Sequence, residues 1–519
     1  MNLQFLKKVR VVISLVFILS ISLLFIDLTF SIQSSFSEYP LFLQFIPSLL
    51  SFISIGTVAG LGFLFVILLT LLFGRVYCST ICPFGILQDL ITFLRKKIKR
   101  INFFFTKPFT KTRYLILSVT ILLFLFGVSI GFNLLDPYSN FGRIIGNIIR
   151  PISIGSNNLF TAVLESLNLY LLSPLEFKGI NIFSFLFSLL IFGLIFFLSF
   201  YYGRLYCNTI CPVGTFLGLI SKFSLFKIGI IESNCIECGD CETVCKSSCI
   251  ESSTKYIDFS RCVGCFNCFD VCPSIGISYK PRYTFSKSLE HSPDKRNFFK
   301  NVGVFILGSH LILKAQEKII EVYKENTTPV IRNSPISPPG SISIENFTDN
   351  CTACHLCVAS CPTQVLQPSF LEYGLLGIMQ PRMDYISGYC NYECTICTEV
   401  CPSGAILNRE SESKKLIQLG KVKFVKDNCV VYTQKTDCGA CAEHCPTKAV
   451  KMELDTEVNK KAPITNEDIC VGCGACEYAC PTKPYKAIYV EGNPIHLTAQ
   501  KPKEEKLEDK INLKEEFPF

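Results

Sequence analysis

Residues 262–273 read CVGCFNCFDVCP, a run with two gaps of two residues and one gap of three residues between cysteines, and a proline after the last cysteine. A run of the same spacing, Cys235 to Cys245, lies just before it and has Lys246 in the place of the proline. This tandem pattern is typical of bacterial ferredoxins that hold two [4Fe–4S] clusters, in which the fourth cysteine of each run binds the other cluster. The spacing therefore predicts an α+β ferredoxin module over residues 232–282.

The predicted ligand sets of this module exchange their last members. One set is Cys235, Cys238, Cys241 and Cys272, and the other is Cys262, Cys265, Cys268 and Cys245. Zinc is the alternative for closely spaced cysteines, but three short gaps combined with a distant fourth ligand are atypical of zinc sites. Cys249 falls outside the pattern and is interpreted either as a spare buried thiol or as a substitute for Cys245.

Four further cysteine blocks lie within residues 345–495, and each ends in Cys-Pro. Sixteen cysteines predict four more [4Fe–4S] clusters in a polyferredoxin domain. The blocks pair either in adjacent order (one with two, three with four) or in nested order (one with four, two with three), and the sequence leaves both open. Block one is Cys351, Cys354, Cys357 and Cys361, block two is Cys390, Cys394, Cys397 and Cys401, block three is Cys429, Cys438, Cys441 and Cys445, and block four is Cys470, Cys473, Cys476 and Cys480.

The start of block one also fits the CxxCH pattern of haem c attachment, with His355 as its histidine. Attachment of haem would consume Cys351 and Cys354. Because Cys357 and Cys361 complete the ferredoxin spacing, a cluster is the favoured prediction for this block.

Residues 1–231 contain four apolar runs, each long enough to cross a bilayer as a helix. Lys and Arg are concentrated at the N-terminus and in residues 75–113, which indicates that these parts are cytoplasmic. The expected fold is thus a multi-domain membrane protein, with an all-α transmembrane bundle of four helices and ferredoxin domains attached to it. The four runs are Val11–Phe30, Leu49–Phe73, Tyr114–Leu134 and Ile182–Tyr202.

This membrane half contains an internal repeat, because GRVYCSTICPFG at Gly74–Gly85 matches GRLYCNTICPVG at Gly203–Gly214. Each copy contains a CxxxCP motif at the cytoplasmic end of a predicted hairpin, so symmetry would let the copies face each other. The four thiols then predict a seventh cluster, a redox-active thiol or copper site, or a structural turn that docks the ferredoxin module. These thiols belong to Cys78, Cys82, Cys207 and Cys211.

Residues 283–344 separate the two ferredoxin regions. The sequence SPDKRNFFK followed by the short apolar run Val302–Leu313 resembles a twin-arginine export signal, with Lys-Arg in place of Arg-Arg. The alternative is an amphipathic or buried helix. If the apolar run stays in the membrane, it forms a fifth helix, and residues 326–344 then form a linker. The charged segment 496–519 is predicted to be a solvated tail.

The cysteine patterns also carry a family resemblance. Residues 1–280 resemble the NapH type of membrane quinol dehydrogenase subunit, with a layout similar to the NosR and CcoG proteins. Residues 286–495 resemble NapG or MauM ferredoxins, which share the export-like leader, the segment Pro338-Pro339-Gly340 and four cysteine blocks. The chain thus resembles a fusion of two subunits, and the resemblance implies transfer of electrons from membrane quinol through six [4Fe–4S] clusters toward a periplasmic reductase or cytochrome.

Oxidation of quinol releases protons, so a titratable group is expected near the site. Asp136 with Arg143 on the outer side, and Asp89 beside the first CxxxCP motif, are the candidates. Two rival functions are an electron-transfer module that binds no quinone and a copper-reducing assembly factor of the CcoG kind. The sequence shows no Walker motif, dinucleotide fingerprint or hydrolytic triad, and its positive charge is explained by membrane orientation, not by nucleic acid. The predicted location is the inner membrane, with the first module cytoplasmic and the polyferredoxin domain periplasmic.

Overall fold

The computed structural model describes residues 3–27, 39–56, 58–98, 102–176, 181–282 and 328–501. The export-like segment with its apolar run Val302–Leu313 and residues 502–519 of the charged tail lie outside the described residues. The described chain forms three parts: a helical part, a small ferredoxin module and a C-terminal domain.

The helical part is built from apolar helices of very different lengths, and a π-helical turn at Ile145–Ile149 joins two of them. The helices are α1 Leu3–Ile26, α2 Phe45–Ile55, α3 Gly62–Phe73, α4 Tyr77–Thr80, α5 Pro83–Ile98, α6 Thr110–Leu125, α7 Ile130–Leu135, α8 Pro137–Ile144, α9 Arg150–Ser166, α10 Ile182–Tyr202, α11 Leu205–Thr209 and α12 Pro212–Ser221.

Two helices of the described chain are long and apolar enough to cross a membrane, one within α1 and the other α10. The other two predicted runs are interrupted. Gly56, at a φ of 68°, ends α2 in the left-handed conformation, and Gly127, at a φ of 74°, follows the end of α6. Glycine adopts this conformation without the steric cost of a Cβ atom and so commonly terminates helices. Two of the four predicted runs therefore form continuous helices, and each of the other two is divided into shorter helices.

The ferredoxin module contains two antiparallel strand pairs and two one-turn helices. In the larger pair Ile228 lies opposite Tyr279, and in the smaller pair Ile250 lies opposite Ile257. Each helix forms from the turn between consecutive cysteines of one run. The elements are β1 Phe226–Ile230, α13 Asp240–Thr243, β2 Ile250–Glu251, β3 Tyr256–Ile257, α14 Asn267–Val271 and β4 Ile277–Pro281.

The C-terminal domain repeats this design on a larger scale, with three antiparallel strand pairs: β5 with β6, β8 with β9, and β7 with β10. Short helices again follow the cysteines of each block. The elements are α15 Ile344–Asn350, α16 Leu356–Ala359, β5 Leu366–Pro368, β6 Pro381–Met383, α17 Ile396–Glu399, α18 Ser411–Lys414, β7 Ile417–Phe424, α19 Val430–Thr433, α20 Ala440–Glu443, β8 Val450–Asp455, β9 Lys460–Thr465, α21 Ala475–Ala479 and β10 Ile488–Thr498.

Part of the segment predicted as a linker belongs to this domain instead. Residues 336–341 are buried, the Leu407 amide donates to the Gly340 carbonyl over 3.0 Å, and the Ser337 hydroxyl lies 2.9 Å from His496 Nε2. The proline-rich composition therefore suits a buried segment of this domain, because prolines need no hydrogen-bond partner for their nitrogen.

The two ferredoxin regions contact opposite ends of the helical part. Near the start of α1, Lys7 forms an ion pair with Asp270 of the ferredoxin module. Near its end, the Phe25 ring contacts Gly142, and Gly142 also packs against the carbonyl of Cys354 in the C-terminal domain. The 24 residues of α1 correspond to a rise of about 36 Å.

Helix α10 also extends from one ferredoxin region to the other, in the direction opposite to α1. Asn181, at its start, donates to the Pro368 carbonyl of the C-terminal domain over 3.5 Å. Just beyond its end, the Arg204 amide donates to the Lys246 carbonyl of the ferredoxin module over 2.8 Å. Its 21 residues span about 31 Å, so both long helices separate the two ferredoxin regions by the thickness of a bilayer core.

Candidate metal centres

The cysteines of the ferredoxin module converge in two groups. One hollow of about 340 Å³ is lined by Cys235, Cys238, Cys241 and Cys272, and a second of about 350 Å³ is lined by Cys245, Cys262, Cys265 and Cys268 together with Cys249. The fourth cysteine of each run thus lies with the first three of the other run. These thiols and the apolar side chains beside them fit two [4Fe–4S] clusters.

Blocks three and four form the same arrangement in the C-terminal domain. A hollow of about 350 Å³ is lined by Cys429, Cys438, Cys441 and Cys480. Another of about 280 Å³ is lined by Cys445, Cys470, Cys473 and Cys476. The eight-residue gap of block three contains α19, which returns the chain so that Cys429 still reaches its group.

The cysteines of blocks one and two form two groups, which are defined by the electrostatic interactions between their thiols. Cys357 interacts most strongly with Cys354, Cys351 and Cys401, and less strongly with Cys397. Cys397 interacts with Cys390, Cys394 and Cys361. Each group again takes its fourth thiol from the neighbouring block. The geometry therefore selects adjacent pairing, one of the two orders that the sequence left open, because the antiparallel pairs β5–β6 and β8–β9 return the chain between the paired blocks.

Cys249 is fully buried beside the second group of the ferredoxin module. Its sulfur lies 3.6 Å from that of Cys245, and it also interacts with Cys262. Cys245 and Cys249 both line the hollow, so the interpretation of Cys249 as a spare thiol beside the group stays a prediction.

His355 is buried and faces away from the cysteines of block one. Its Nε2 lies 2.8 Å from the Met379 carbonyl, and its Nδ1 lies 3.4 Å from the Asn147 amide of the helical part. Burial lowers the pKa of this imidazole to about 3. The ring therefore helps to hold the C-terminal domain against the helices, and the thiols of Cys351 and Cys354 remain with the cluster group.

The cysteine groups of the C-terminal domain lie in series. Cys473 interacts with Cys390, and the Cys390 amide donates to the Cys473 carbonyl over 2.9 Å, which joins the two paired units. The group nearest the helices contains Cys354, and Cys354 interacts with Asp136. Centres in these groups would form a row that ends at the helical part.

The four CxxxCP cysteines also meet, and all four are buried in the helical part. Cys78 interacts with Cys207, and Cys211 interacts with Cys207, Cys82 and Cys78. In each copy the second cysteine precedes a helix that begins with proline, as Cys211 does before α12. The symmetry expected from the repeat is thus present in the fold.

Asp89 lies beside this four-thiol group and is enclosed by cations. Its Oδ1 lies 2.9 Å from Arg204 and 3.2 Å from Lys246, and its Oδ2 lies 2.9 Å from Arg10. Burial disfavours the charged carboxylate, but the three cations outweigh burial and hold the pKa of Asp89 below its ordinary value. A carboxylate so strongly paired is a poor proton acceptor, and its geometry is that of a docking contact between the helices and the ferredoxin module.

Sequence reasoning missed Lys246, Arg10 and Arg204 as partners of Asp89. One signal was available, since Lys246 occupies the position where the ferredoxin run usually has proline. A lysine there reaches across the domain boundary, whereas a proline could not form the ion pair.

Asp136 and Arg143 lie at the opposite end of the helical part, close to block one. Asp136 caps α8, and its Oδ2 accepts from the Ser139 amide over 2.9 Å and from the Ser139 hydroxyl over 2.7 Å. Arg143 donates to Asn140 Oδ1 over 3.0 Å. Burial raises the pKa of the Asp136 carboxyl to about 6, which is a suitable value for a group that takes up protons near neutral pH.

Three family models match four regions of the chain. A 4Fe-4S binding domain matches residues 55–101 and 184–231, which contain the two CxxxCP motifs. A second 4Fe-4S binding domain matches residues 262–277, and a 4Fe-4S dicluster domain matches residues 434–483. Together with the grouped cysteines, these matches define an iron–sulfur protein with ferredoxin-type domains.

The chain is similar to several ferredoxin-type proteins. It is 35% identical over 147 residues to the ferredoxin-type protein NapG of Escherichia coli, a match that covers 26% of this chain and 62% of NapG. It is 28% identical over 193 residues to the methylamine utilization ferredoxin-type protein MauN of Methylobacillus flagellatus, covering 37% of this chain and 53% of MauN. It is 26% identical over 197 residues to MauM of the same organism, covering 36% of this chain and 79% of MauM. The chain thus spans less than two thirds of the length of NapG, and no solved structure gives a significant match.

Proposed function

We propose that the protein is a membrane-bound electron carrier that takes electrons from quinol and passes them through six [4Fe–4S] clusters to a partner redox protein. The observation that carries this proposal is the row of cysteine groups with exchanged fourth members, which suits clusters close enough to exchange electrons. The likeness to NapG and MauM, both ferredoxin-type proteins by name, supports electron transfer as the role of the C-terminal domain.

The ligands of the six clusters are the cysteines of the six groups described above. Clusters held by these cysteines would each take up one electron, so one quinol would supply electrons for two of them. Quinol loses two electrons and two protons as it becomes quinone, and the protons require an acceptor at the site. We assign this role to Asp136, with Arg143 nearby to stabilise the carboxylate.

A membrane location is supported by the surfaces of the two long helices. Only 33% of the apolar window of α1 and 22% of that of α10 is buried within the protein. Leu19 and Leu190, for example, are exposed by 61% and 67%. A soluble protein would cover such faces, whereas lipid chains can contact them directly.

The distribution of positive charge then sets the orientation. Lys and Arg residues flank the end of the helices that carries the ferredoxin module, which supports a cytoplasmic location for that module. The C-terminal domain contacts the other end of the same helices, so in this proposal it is periplasmic. A reporter fused after Phe519 that is active only in the periplasm tests this orientation, and activity of a cytoplasmic reporter would refute it.

Quinol oxidation is tested with the full-length protein, purified anaerobically in detergent. Addition of a reduced quinone should bleach the visible absorbance of the iron–sulfur clusters. The Asp136→Asn variant should bleach more slowly because it lacks the proton acceptor, while chemical reduction by dithionite should be unchanged. Bleaching by dithionite without bleaching by quinol would favour a carrier that receives electrons from another membrane protein.

A further inference from the structure

Two of the four CxxxCP thiols accept a backbone amide at the start of a helix. In each copy the sulfur of the second cysteine accepts a backbone amide: Gly214 donates to Cys211 over 3.3 Å, and Gly85 donates to Cys82. Amide donors at a helix start stabilise thiolates in preference to thiols. Both glycines are required by the fold, because a Cβ atom at Gly85 would lie 2.2 Å from the Cys78 carbonyl.

Two arginines, one in each copy of the repeat, make equivalent contacts with the four-thiol site. Arg75 lies 3.9 Å from the Cys78 sulfur and donates to the Cys207 carbonyl over 3.0 Å. Arg204 lies 3.8 Å from the Cys207 sulfur and donates to the Cys78 carbonyl over 2.8 Å. Each arginine therefore bridges the two copies, and both are fully buried.

The charge around the four thiols is incompletely balanced by protein groups. Arg204 shares Asp89 with Arg10 and Lys246, and within the described residues no carboxylate forms an ion pair with Arg75. The Nε atom of Arg75 also has no hydrogen-bond partner. Buried cations are costly unless an anion compensates them. An iron–sulfur cluster held by four thiolates carries net negative charge and would supply that compensation.

The site also lies between the two ferredoxin regions. Val76, which is two residues before Cys78, contacts Gly264 of the ferredoxin module, where an added Cβ atom would lie 3.1 Å from the valine side chain. Gly264 is flanked by two cysteines of the second cluster group. On the other side, Tyr206 donates to the Leu135 carbonyl over 3.2 Å, next to Asp136 and the first group of the C-terminal domain.

We infer that Cys78, Cys82, Cys207 and Cys211 hold a further iron–sulfur cluster, which connects the clusters at the two ends of the helical part. Among the described residues, no three His, Cys, Asp or Glu side chains are close enough to hold one metal ion. A cluster has several irons, each bound by one thiolate, and therefore suits thiols that are spread more widely than the ligands of a single copper or zinc ion. The role of this cluster in conduction rests on the proposed function, but its presence does not.

The test uses full-length protein prepared anaerobically, with iron and copper measured per chain. Six [4Fe–4S] clusters account for about 24 iron atoms, so the wild type should contain about two to four more. The double variant Cys78→Ser/Cys207→Ser should lose this excess, and the control Thr80→Ser, within the same motif, should keep it. Equal iron content in the double variant and the control, or copper in place of the excess iron, would overturn the inference.

A second variant keeps all four cysteines in place. Gln88 donates to the Cys207 sulfur over 3.2 Å, and its counterpart in the second copy is Leu217, so Gln88→Leu copies a side chain that the fold already accepts. This variant should retain full iron content but shift the reduction potential and electron paramagnetic resonance signal of one cluster. Unchanged spectra throughout a redox titration would contradict the inference.

The outcomes of these experiments distinguish failure of the four-thiol site from failure of the proposed function. Excess iron in a protein that quinol does not bleach would retain the site and refute quinol oxidation. Bleaching by quinol in a double variant with unchanged iron would refute the site alone. If both hold, quinol should bleach fewer clusters in the double variant than in the wild type, because electrons no longer cross the helical part.

Discussion

Replacement of Asp89 by asparagine should loosen the contact between the ferredoxin module and the helices. The carboxylate is paired with Arg10, Arg204 and Lys246, and its side chain is only 10% exposed. Removal of one partner from a buried ion pair leaves uncompensated charge and typically costs about 3–5 kcal/mol. Lys246 belongs to the ferredoxin module, so the loss of its ion pair falls on the docked state, whereas Arg10 and Arg204 stay in the helical part beside residue 89.

Amide hydrogen exchange measures this loss at the interface itself. The Arg204 amide donates to the Lys246 carbonyl over 2.8 Å, so it exchanges only when the contact opens. A cost of 3–5 kcal/mol corresponds to exchange that is about 10²- to 4 × 10³-fold faster in Asp89→Asn, measured by mass spectrometry on the peptide that contains Arg204.

The same interface provides a matched control. Lys7 and Asp270 also join α1 to the ferredoxin module, but their side chains are exposed by 33% and 31%. Exposed pairs contribute about 0–1 kcal/mol, so Asp270→Asn should accelerate exchange less than about tenfold. Equal exchange rates in Asp89→Asn and Asp270→Asn would refute the assignment of Asp89 as the docking residue.

Three further predictions concern the C-terminal domain and Cys249. Adjacent pairing predicts that Cys445→Ser exposes the first three cysteines of block four to alkylation, whereas nested pairing predicts that it exposes cysteines of block two. The variant Cys441→Ser should instead expose the remaining cysteines of block three together with Cys480. Peptide mass spectrometry identifies the alkylated cysteines in both variants. Cys249→Ser should retain the iron content of the wild type, because the thiol lies beside a complete group; loss of about four iron atoms would make it a ligand. Gly474→Ala should lose one cluster from blocks three and four, because a Cβ atom there would lie 2.2 Å from the Tyr385 ring and the backbone has a φ of 77°; iron content equal to the wild type would contradict this.

Spacing along the chain determined the cysteine chemistry of this protein. Cysteines two or three residues apart can face one inorganic centre whatever the rest of the fold does, so the blocks and their exchanged fourth members in the ferredoxin module could be predicted. The repeated CxxxCP segment likewise predicted that two copies would face each other. These are local properties, fixed by a few residues of backbone and by symmetry.

Tertiary structure decided what depends on distant parts of the chain meeting. Adjacent pairing of the blocks and the enclosure of Asp89 by three cations each follow from packing that no short window of sequence contains. The placement of the two ferredoxin regions at opposite ends of α1 and α10 is of the same kind. Composition can reveal that a helix is apolar, but the groups at its two ends are set by contacts between residues that lie hundreds of positions apart, such as Lys7 with Asp270.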